Sequence, residues 1–459
     1  MRLGAITLTD QVLGYGSHGT VVYRGEFQGR AVAVKRLLLD FYDVADHEVQ
    51  VLQESDSHPN VIRYFCTERH DHFMYIALEL CCGSLADAIM RTPKAKLANQ
   101  LLSAIPKKNV LYQLARGLHH LHALKLVHRD IKPQNILIAP PPHRRRRRTT
   151  RTDSTEDAEL AFEDFNIVAS GTPRVLISDF GLSRILDDDE SSFANTFTMH
   201  GIPAFGDRAG SSIPFESNHG SRRRMTRAVD IFSMGCVFYY VLMNGDHPFG
   251  DRLSREQRIL AGTPELRMLE SSNIPSAIEA VDIIAHMVAR YERDRPSAAS
   301  VLVHPYFWDA TQRLSFLQDV SDCLEAEARL IKAAREDIPE PPKKTKSVKK
   351  KGGQALSASV STAWDRRLDP HLRRDLGKFR KYDGMRLRDL LRIIRNKKNH
   401  YQDMPQPLRE TLGDIPDGYL HYFESRFPYL LLHCYYFVLE DDSLRTATVF
   451  RPYFRPPAM

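Results

Sequence analysis

Four short motifs stand in a fixed order between Gly14 and Gly181, and they restrict the fold more than any other feature of the chain. The first, Gly14-Tyr-Gly16-Ser-His-Gly19-Thr-Val21, lies within alternating apolar and polar residues over 6–36, which read as paired strands around a tight turn. Glycines at this spacing let backbone N–H groups approach phosphate oxygens, and Val21 is placed to cover a base; the spacing alone also fits an ordinary hairpin. Val32-Ala-Val-Lys35 then sets a lysine on the adjoining strand. Glu48 falls in the next helical pattern, Asp46 to Gln53, where it can hold Lys35 extended. His128-Arg129-Asp130-Ile-Lys132-Pro-Gln-Asn135 offers a carboxylate to accept or orient a hydroxyl proton and a lysine to stabilise a moving phosphoryl group. Asp179-Phe180-Gly181 completes the series, and Asp179 with Asn135 supplies oxygen ligands suited to magnesium.

In this order the motifs resemble those of the protein kinases. The resemblance implies a bilobal fold, ATP/ADP with Mg2+ as ligands, and Ser/Thr specificity from Lys132. It also makes Leu78 the gatekeeper and Glu79 to Cys81 the adenine hinge. Fold does not by itself establish activity. The alternative is a pseudokinase that binds nucleotide without transferring phosphate. Such chains commonly lose the lysine, the catalytic Asp or the metal Asp, and this one keeps Lys35, Asp130 and Asp179. Arg129 is placed to clamp a phosphorylated activation segment, with Ser191, Ser192, Thr196 and Thr198 as candidate acceptors. Where Ala-Pro-Glu is usual the chain reads Pro214-Phe215-Glu216; Glu216 can still pair with Arg295, but peptide-substrate docking is open to question. The Asp230 helix and Arg295 read as structural.

At 459 residues, 42% hydrophobic and 26% charged, the chain has room for two or three domains with their own cores. Strand patterns return over Val61 to Leu80, and helical patterns dominate after Leu101. The longest apolar run, Leu430 to Leu439, is broken by His433 and falls short of the ~20 residues a membrane span needs. No signal peptide precedes the first strand pattern, and the six cysteines lack CxxC spacing, as expected of a reducing cytosolic setting. Two stretches read as disordered insertions: about 140–172, with its Arg144–Arg148 run, and the Lys/Pro/Gly/Ser-rich 338–360. The arginine run suits contact with RNA or lipid, or simply a solvated loop. No internal repeats are visible.

Net charge is +7, concentrated late in the chain: Arg373 to Lys398 holds eleven basic and three acidic residues. Such a patch suits a polyanionic partner, although a solvated helix face has the same composition. Leu387, Leu390, Leu391 and Ile394 form a core stripe at i, i+3, i+4 and i+7, with the intervening arginines expected in water. If the helix continues, Asn396 and His400 lie a turn apart, and Tyr382 can fold back toward the same end. Metal-free RNA cleavage needs a base for the 2′-hydroxyl, an acid for the leaving 5′-oxygen and cations around the phosphate. Tyr382 and His400 fit the acid/base pair, Asn396 the phosphate, and Arg395, Lys397 and Arg426 the charge. From spacing alone, a lone histidine on a basic helix is more often a bystander.

Lys378 to Tyr401, Arg409-Glu-Thr-Leu-Gly413 and Tyr422-Phe-Glu-Ser-Arg426-Phe-Pro428 closely resemble the kinase-extension nuclease of the inositol-requiring kinase/endoribonuclease family of the unfolded protein response. His58-Pro-Asn-Val-Ile-Arg-Tyr-Phe65, His304-Pro-Tyr-Phe-Trp308 and Asp319-Val-Ser-Asp322 carry the same resemblance, which covers essentially the whole chain outside the two insertions. It implies an α+β chain: a bilobal protein-kinase fold over 1–308 (small lobe 1–80, large lobe 81–308), then an all-α kinase-extension nuclease domain over 309–459. The family's nuclease positions fall on Tyr382, Asn396 and His400, and less directly on Arg395, Lys397 and Arg426. The implied activity is a Ser/Thr autokinase joined to a metal-independent endoribonuclease. It cuts RNA stem-loops to a 2′,3′-cyclic phosphate once nucleotide binding and trans-autophosphorylation have favoured a homodimer. The family's lumenal sensor and transmembrane helix are not in this sequence, so a cytosolic region of an endoplasmic-reticulum membrane protein is expected. The interferon-pathway latent ribonuclease shares the architecture, but its kinase is degenerate and follows ankyrin repeats. A third reading keeps the kinase and gives the C-terminal domain only RNA binding or dimerisation.

Overall fold

The computed structural model describes residues 1–16, 19–38, 42–141, 171–185, 192–194, 224–336, 363–379 and 381–457. Most of both expected insertions, and Ser191, Thr196, Thr198 and Glu216, lie outside these residues. Two compact units are present, Met1–Leu302 and Val303–Ala458.

The first unit opens on a six-stranded antiparallel sheet. Its strands are β1 (Arg2–Leu3), β2 (Ile6–Tyr15), β3 (Val21–Phe27), β4 (Arg30–Leu38), β5 (Tyr64–His70) and β6 (Phe73–Glu79), in the order β1-β2-β3-β4-β6-β5. Val32 and Val34 of β4 are buried with Leu3, Ile6, Tyr75 and Ala77, and strand alternation therefore presents Lys35 on the opposite face. Helix α1 (Tyr42–Ser55) buries Glu48, Val51, Leu52 and Ser55, one stripe at helical spacing in which a carboxylate takes an otherwise apolar position.

The remainder of this unit is largely helical. Strand β7 (Gly83–Ser84) leads into α2 (Leu85–Ile89), whose first turn is capped by Ser84 Oγ accepting from the Asp87 N–H. After α3 (Lys96–Ser103), α4 (Lys107–Ala123) buries Val110, Leu111, Leu114, Leu118 and Leu121. Short strands β8 (Leu126–Val127), β9 (Ile136–Ala139), β10 (Arg174–Ile177) and β11 (Arg184–Ile185) carry the catalytic-motif segments between them. Helix α5 (Ala228–Leu242) is buried over nearly its whole surface, as its almost unbroken apolar sequence dictates.

The second unit contains helices and 3-10 turns, with no strand among its described residues. Its helices are α6 (Ala310–Glu336), α7 (Pro370–Phe379), α8 (Leu387–Asn399), α9 (Gln406–Leu412), α10 (Asp417–Glu424), α11 (Leu430–Leu439) and α12 (Asp442–Thr446). They enclose one core that includes Trp308, Phe316, Trp364, Tyr419 and Phe423. The order sheet lobe, helical lobe, all-helical unit is the α+β arrangement expected. Helix α8 buries its four-leucine/isoleucine stripe, together with Ile393 and Asp389. One expectation fails here: Arg392 does not face water but is 5% exposed. Glu325 of α6 and Asp389 one turn earlier supply the carboxylates that make its burial tolerable. Among the described residues no helix is long and apolar enough to cross a membrane.

Candidate active sites

The glycine-rich turn joins β2 to β3, closed by the Gly16 N–H donating to the Thr20 carbonyl at 2.8 Å. Gly19 has a φ of +73°, a backbone conformation that favours glycine. On β4, Lys35 Nζ lies 2.6 Å from Glu48 Oε1 and 2.9 Å from Asp179 Oδ1, so a strand, a helix and the Asp-Phe-Gly segment meet at one ammonium. Burial alone would lower the Lys35 pKa; the two carboxylates reverse that and hold it above its ordinary value. The Lys35 charge in turn lowers the Asp179 carboxyl against the effect of burial. Phe180 is fully buried and packs 5.1 Å from the His128 ring, which fixes Asp179 from behind.

Around Asp130 the catalytic loop is tightly bonded. Lys132 Nζ donates to Asp130 Oδ2 at 2.7 Å, and Asn135 Nδ2 donates to the same oxygen at 2.8 Å and to the Asp130 carbonyl at 2.9 Å. Asp230 of α5 organises this loop from below: its carboxylate accepts the His128 N–H and the Arg129 N–H, each at 2.8 Å, and His122 Nε2 at 3.0 Å. Burial pushes the Asp230 carboxyl up, but the His122 bond and nearby positive charge outweigh it and leave the group below its usual value. The loop needs this restraint, since Arg129 holds a φ of +69°.

Asp179 and Asn135 are a hard-oxygen donor pair, with the Asp179 side chain 41% exposed and ionised, and they fit a magnesium ion that takes its other ligands from phosphates and water. At the hinge, the Glu79 carboxylate is bound by Arg174 of β10, while the Cys81 thiol donates to the Glu79 carbonyl at 3.7 Å. Burial holds the Cys81 thiol well above its ordinary pKa, so it stays protonated. Val21 pairs with Tyr15 and Arg36 across the sheet. Of the activation-segment candidates only Ser192 has described backbone, at the start of the strand Ser192–Ala194. Arg295 donates to the Ala289 and Ala228 carbonyls at 2.8 and 3.0 Å; Glu216, able to pair with it by the sequence reading, lies outside the described residues.

In the second unit, Asn396 and His400 sit at the C-terminal end of α8, joined by the His400 N–H donating to the Asn396 carbonyl at 3.0 Å. The His400 imidazole is 73% exposed, with Nδ1 3.3 Å from Asp403 Oδ2. Asn396 Oδ1 accepts from Arg395 Nε and Nη2, each at 3.2 Å. Arg395 is itself paired with Asp322 of α6, and Lys397 with Asp375 of α7. Arg426 lies over the Tyr422 ring at 3.8 Å and donates to the Tyr422 carbonyl at 2.9 Å. Tyr382 is half-buried against the core. The next residue, Asp383, donates its N–H to Asp389 Oδ2 at 2.8 Å, which sets Tyr382 beside the first turn of α8. Asn396 lies seven residues beyond Asp389, about 10 Å of helical rise away. Asp403, Asp322 and Asp375 escape a sequence reading. Asp403 has only its spacing of three from His400 as a signal, and the partners of Arg395 and Lys397 are far away in sequence.

Residues 8–307 match the protein kinase domain family. The chain belongs to that family. Its kinase domain is followed by a second match, to ribonuclease 2-5A, over residues 313–454. Two of the following three similar proteins are named for a kinase and an endoribonuclease together. The serine/threonine-protein kinase/endoribonuclease IRE2 of Homo sapiens is 42% identical over 97% of this chain and 42% of its own length. The sensor for unfolded proteins in the ER ire1 of Schizosaccharomyces pombe is 39% identical over 99% of this chain and 39% of its own length. The serine/threonine-protein kinase/endoribonuclease ireA of Aspergillus fumigatus is 40% identical, covering 99% and 40%. The chain therefore spans about two fifths of the length of these relatives.

Proposed function

We propose that this kinase-family chain is a Ser/Thr autokinase and a metal-independent endoribonuclease, and that it belongs to a sensor of unfolded proteins in the endoplasmic reticulum. The observation that carries the reading is the simultaneous closure of the Lys35–Glu48 and Lys35–Asp179 contacts beside an intact Asp130–Lys132–Asn135 loop, in a chain that also sets Asn396 and His400 at one helix end.

In phosphoryl transfer Lys35 holds the α- and β-phosphates of ATP, under the turn formed by Gly14, Gly16 and Gly19 and with Val21 over the adenine. Glu48 keeps Lys35 extended, and the Glu79–Cys81 backbone receives the base edge. Asp130 takes the proton of the attacking Ser or Thr hydroxyl, Lys132 balances charge on the transferring group, and ADP leaves. Magnesium held by Asp179 and Asn135 would neutralise phosphate charge when bound. Acceptors on the chain itself are Ser191, Ser192, Thr196 and Thr198.

In RNA cleavage Tyr382 and His400 form the acid/base pair. One removes the 2′-hydroxyl proton as its oxygen attacks phosphorus, and the other protonates the departing 5′-oxygen, giving a 2′,3′-cyclic phosphate and a 5′-hydroxyl. Asp403 orients the His400 ring through Nδ1. Asn396, with Arg395, Lys397 and Arg426, receives the phosphate. RNA approaching Arg395 and Lys397 must compete with Asp322 and Asp375 for their charge. Nucleotide binding and phosphorylation promote pairing with a second copy, so cleavage of a stem-loop rises with protein concentration.

The test uses labelled ATP and an RNA hairpin with the wild-type chain and Asp179→Ala. Wild type incorporates phosphate and cuts; the variant incorporates none. Phosphate uptake by purified Asp179→Ala would sink the kinase assignment.

A further inference from the structure

We propose that Trp364 is a positioning residue for Tyr382, acting through the loop from Asp383 to Arg386; the inference rests on the nuclease reading above. The loop is closed onto α8 from one side. Asp383 donates its N–H to Asp389 Oδ2 at 2.8 Å, accepts the Met385 N–H on Oδ1 at 3.0 Å, and accepts the Arg386 N–H on its carbonyl at 3.0 Å. Trp364 grips the same loop from the other side. Its backbone N–H donates to the Gly384 carbonyl at 2.9 Å, and its indole Nε1–H donates to the Arg386 carbonyl at 3.0 Å.

A residue eighteen positions before Tyr382 in sequence thus holds two carbonyls of a loop that begins directly after it. Trp364 is 1% exposed and belongs to the core against which Tyr382 packs, so its indole is not free to swing away. The fit at Gly384 is equally close: a Cβ there would fall 2.7 Å from Asp365 Oδ1 and 3.0 Å from its Cγ. Gly384 therefore faces the Asp365 carboxylate, on the side of the loop that Trp364 holds, and a side chain there would have to displace that carboxylate. Proton transfer tolerates displacements of only about 0.5 Å, and a 1 Å error costs up to about 100-fold. Trp364 supplies that tolerance at Tyr382.

The test is cleavage of an end-labelled RNA hairpin by the full chain in EDTA, with melting curves recorded beside the kinetics. The variants are Trp364→Phe, Gly384→Ala, Tyr382→Phe and the Trp364→Phe/Tyr382→Phe double. Trp364→Phe keeps an aromatic ring and the backbone N–H but loses the indole donor and the volume of the second ring, and the melting curve reads the cost of that cavity. Its kcat should fall about tenfold, with KM inside about twofold of wild type. Gly384→Ala presses a Cβ toward the Asp365 carboxylate on the same side of the loop while leaving the indole donor in place, and should show the same split. The double variant should be no slower than Tyr382→Phe alone, because both changes act on one group. Wild-type rates in both Trp364→Phe and Gly384→Ala would overturn the inference, as would a double variant slowed by the product of the single effects. Equal cleavage by wild type and Tyr382→Phe would overturn the role of Tyr382 itself, and this inference with it.

Discussion

Replacing Asp230 by Asn should unfasten the kinase catalytic loop while leaving its shape nearly unchanged. The carboxylate is 1% exposed and accepts three bonds: Arg129 N–H on Oδ1, and His128 N–H and His122 Nε2 on Oδ2. Asparagine has one acceptor oxygen, so its NH2 must face a donor. The least damaging orientation turns it toward Arg129 and sets two buried donors face to face, at about 2 kcal/mol. The other two bonds lose their ionic partner, worth about 1 kcal/mol more. The sum, about 3 kcal/mol, corresponds to a fall of roughly 6 °C in the melting transition of a unit this large. That transition is identified by its upward shift with ADP. Autophosphorylation should fall at least about tenfold, because Arg129, in the left-handed region at +69°, adjoins Asp130 and loses its tether. The folded carboxyl lies below its ordinary value of 3.8, so its contribution is present above that pH and lost as the pH falls through the folded value. The gap between wild type and Asp230→Asn must therefore narrow in acid. A variant that melts within a degree of wild type and phosphorylates normally would refute the reasoning.

Two other perturbations separate the units. Arg392→Met should leave Glu325 and Asp389 without their buried cation and lower the stability of the second unit by about 3 kcal/mol; an unchanged melting transition there would mean the pairs contribute nothing. In the first unit, burial, reinforced by His120 and Arg116, pushes the His58 imidazole down to about 4. The unfolded chain takes up that proton near 6.5, so stability is lost as pH falls from 6.5 toward 4. His58→Asn keeps an acceptor for the Asn60 N–H and should make this decline shallower, and equal slopes in acid melts would exclude His58 as the source.

The legible parts of the molecule were those whose chemistry demands particular residues at particular spacings. Lys35, Glu48, Asp130, Asn135 and Asp179 stand at spacings that phosphate and proton geometry demands; Lys35 meets Glu48 and, from 144 residues away, Asp179, while Asn135 bonds Asp130 within its own loop. Periodicity likewise revealed the buried stripe of α8. It could not reveal partners. An arginine beside such a stripe reads as solvent-facing, and only the packing of α6 against α8 shows that Glu325 waits opposite Arg392. The same limit hid Asp322 behind Arg395, Asp375 behind Lys397 and Arg174 behind Glu79. Asp230 could be read as structural, but its three bonds to the catalytic loop and to α4 come from residues that no local pattern links to it. Trp364 reads as an ordinary core aromatic until its two donors are seen to end on the loop after Tyr382.

The most direct test of a second chemistry in this chain is cleavage of a labelled RNA stem-loop in EDTA, at low and high protein concentration, beside His400→Ala. Wild type should cut to 2′,3′-cyclic phosphate ends, faster per molecule at high concentration, and His400→Ala should lose cleavage while still binding ATP. Cleavage that needs added metal, or that persists at the wild-type rate in His400→Ala, would contradict the account.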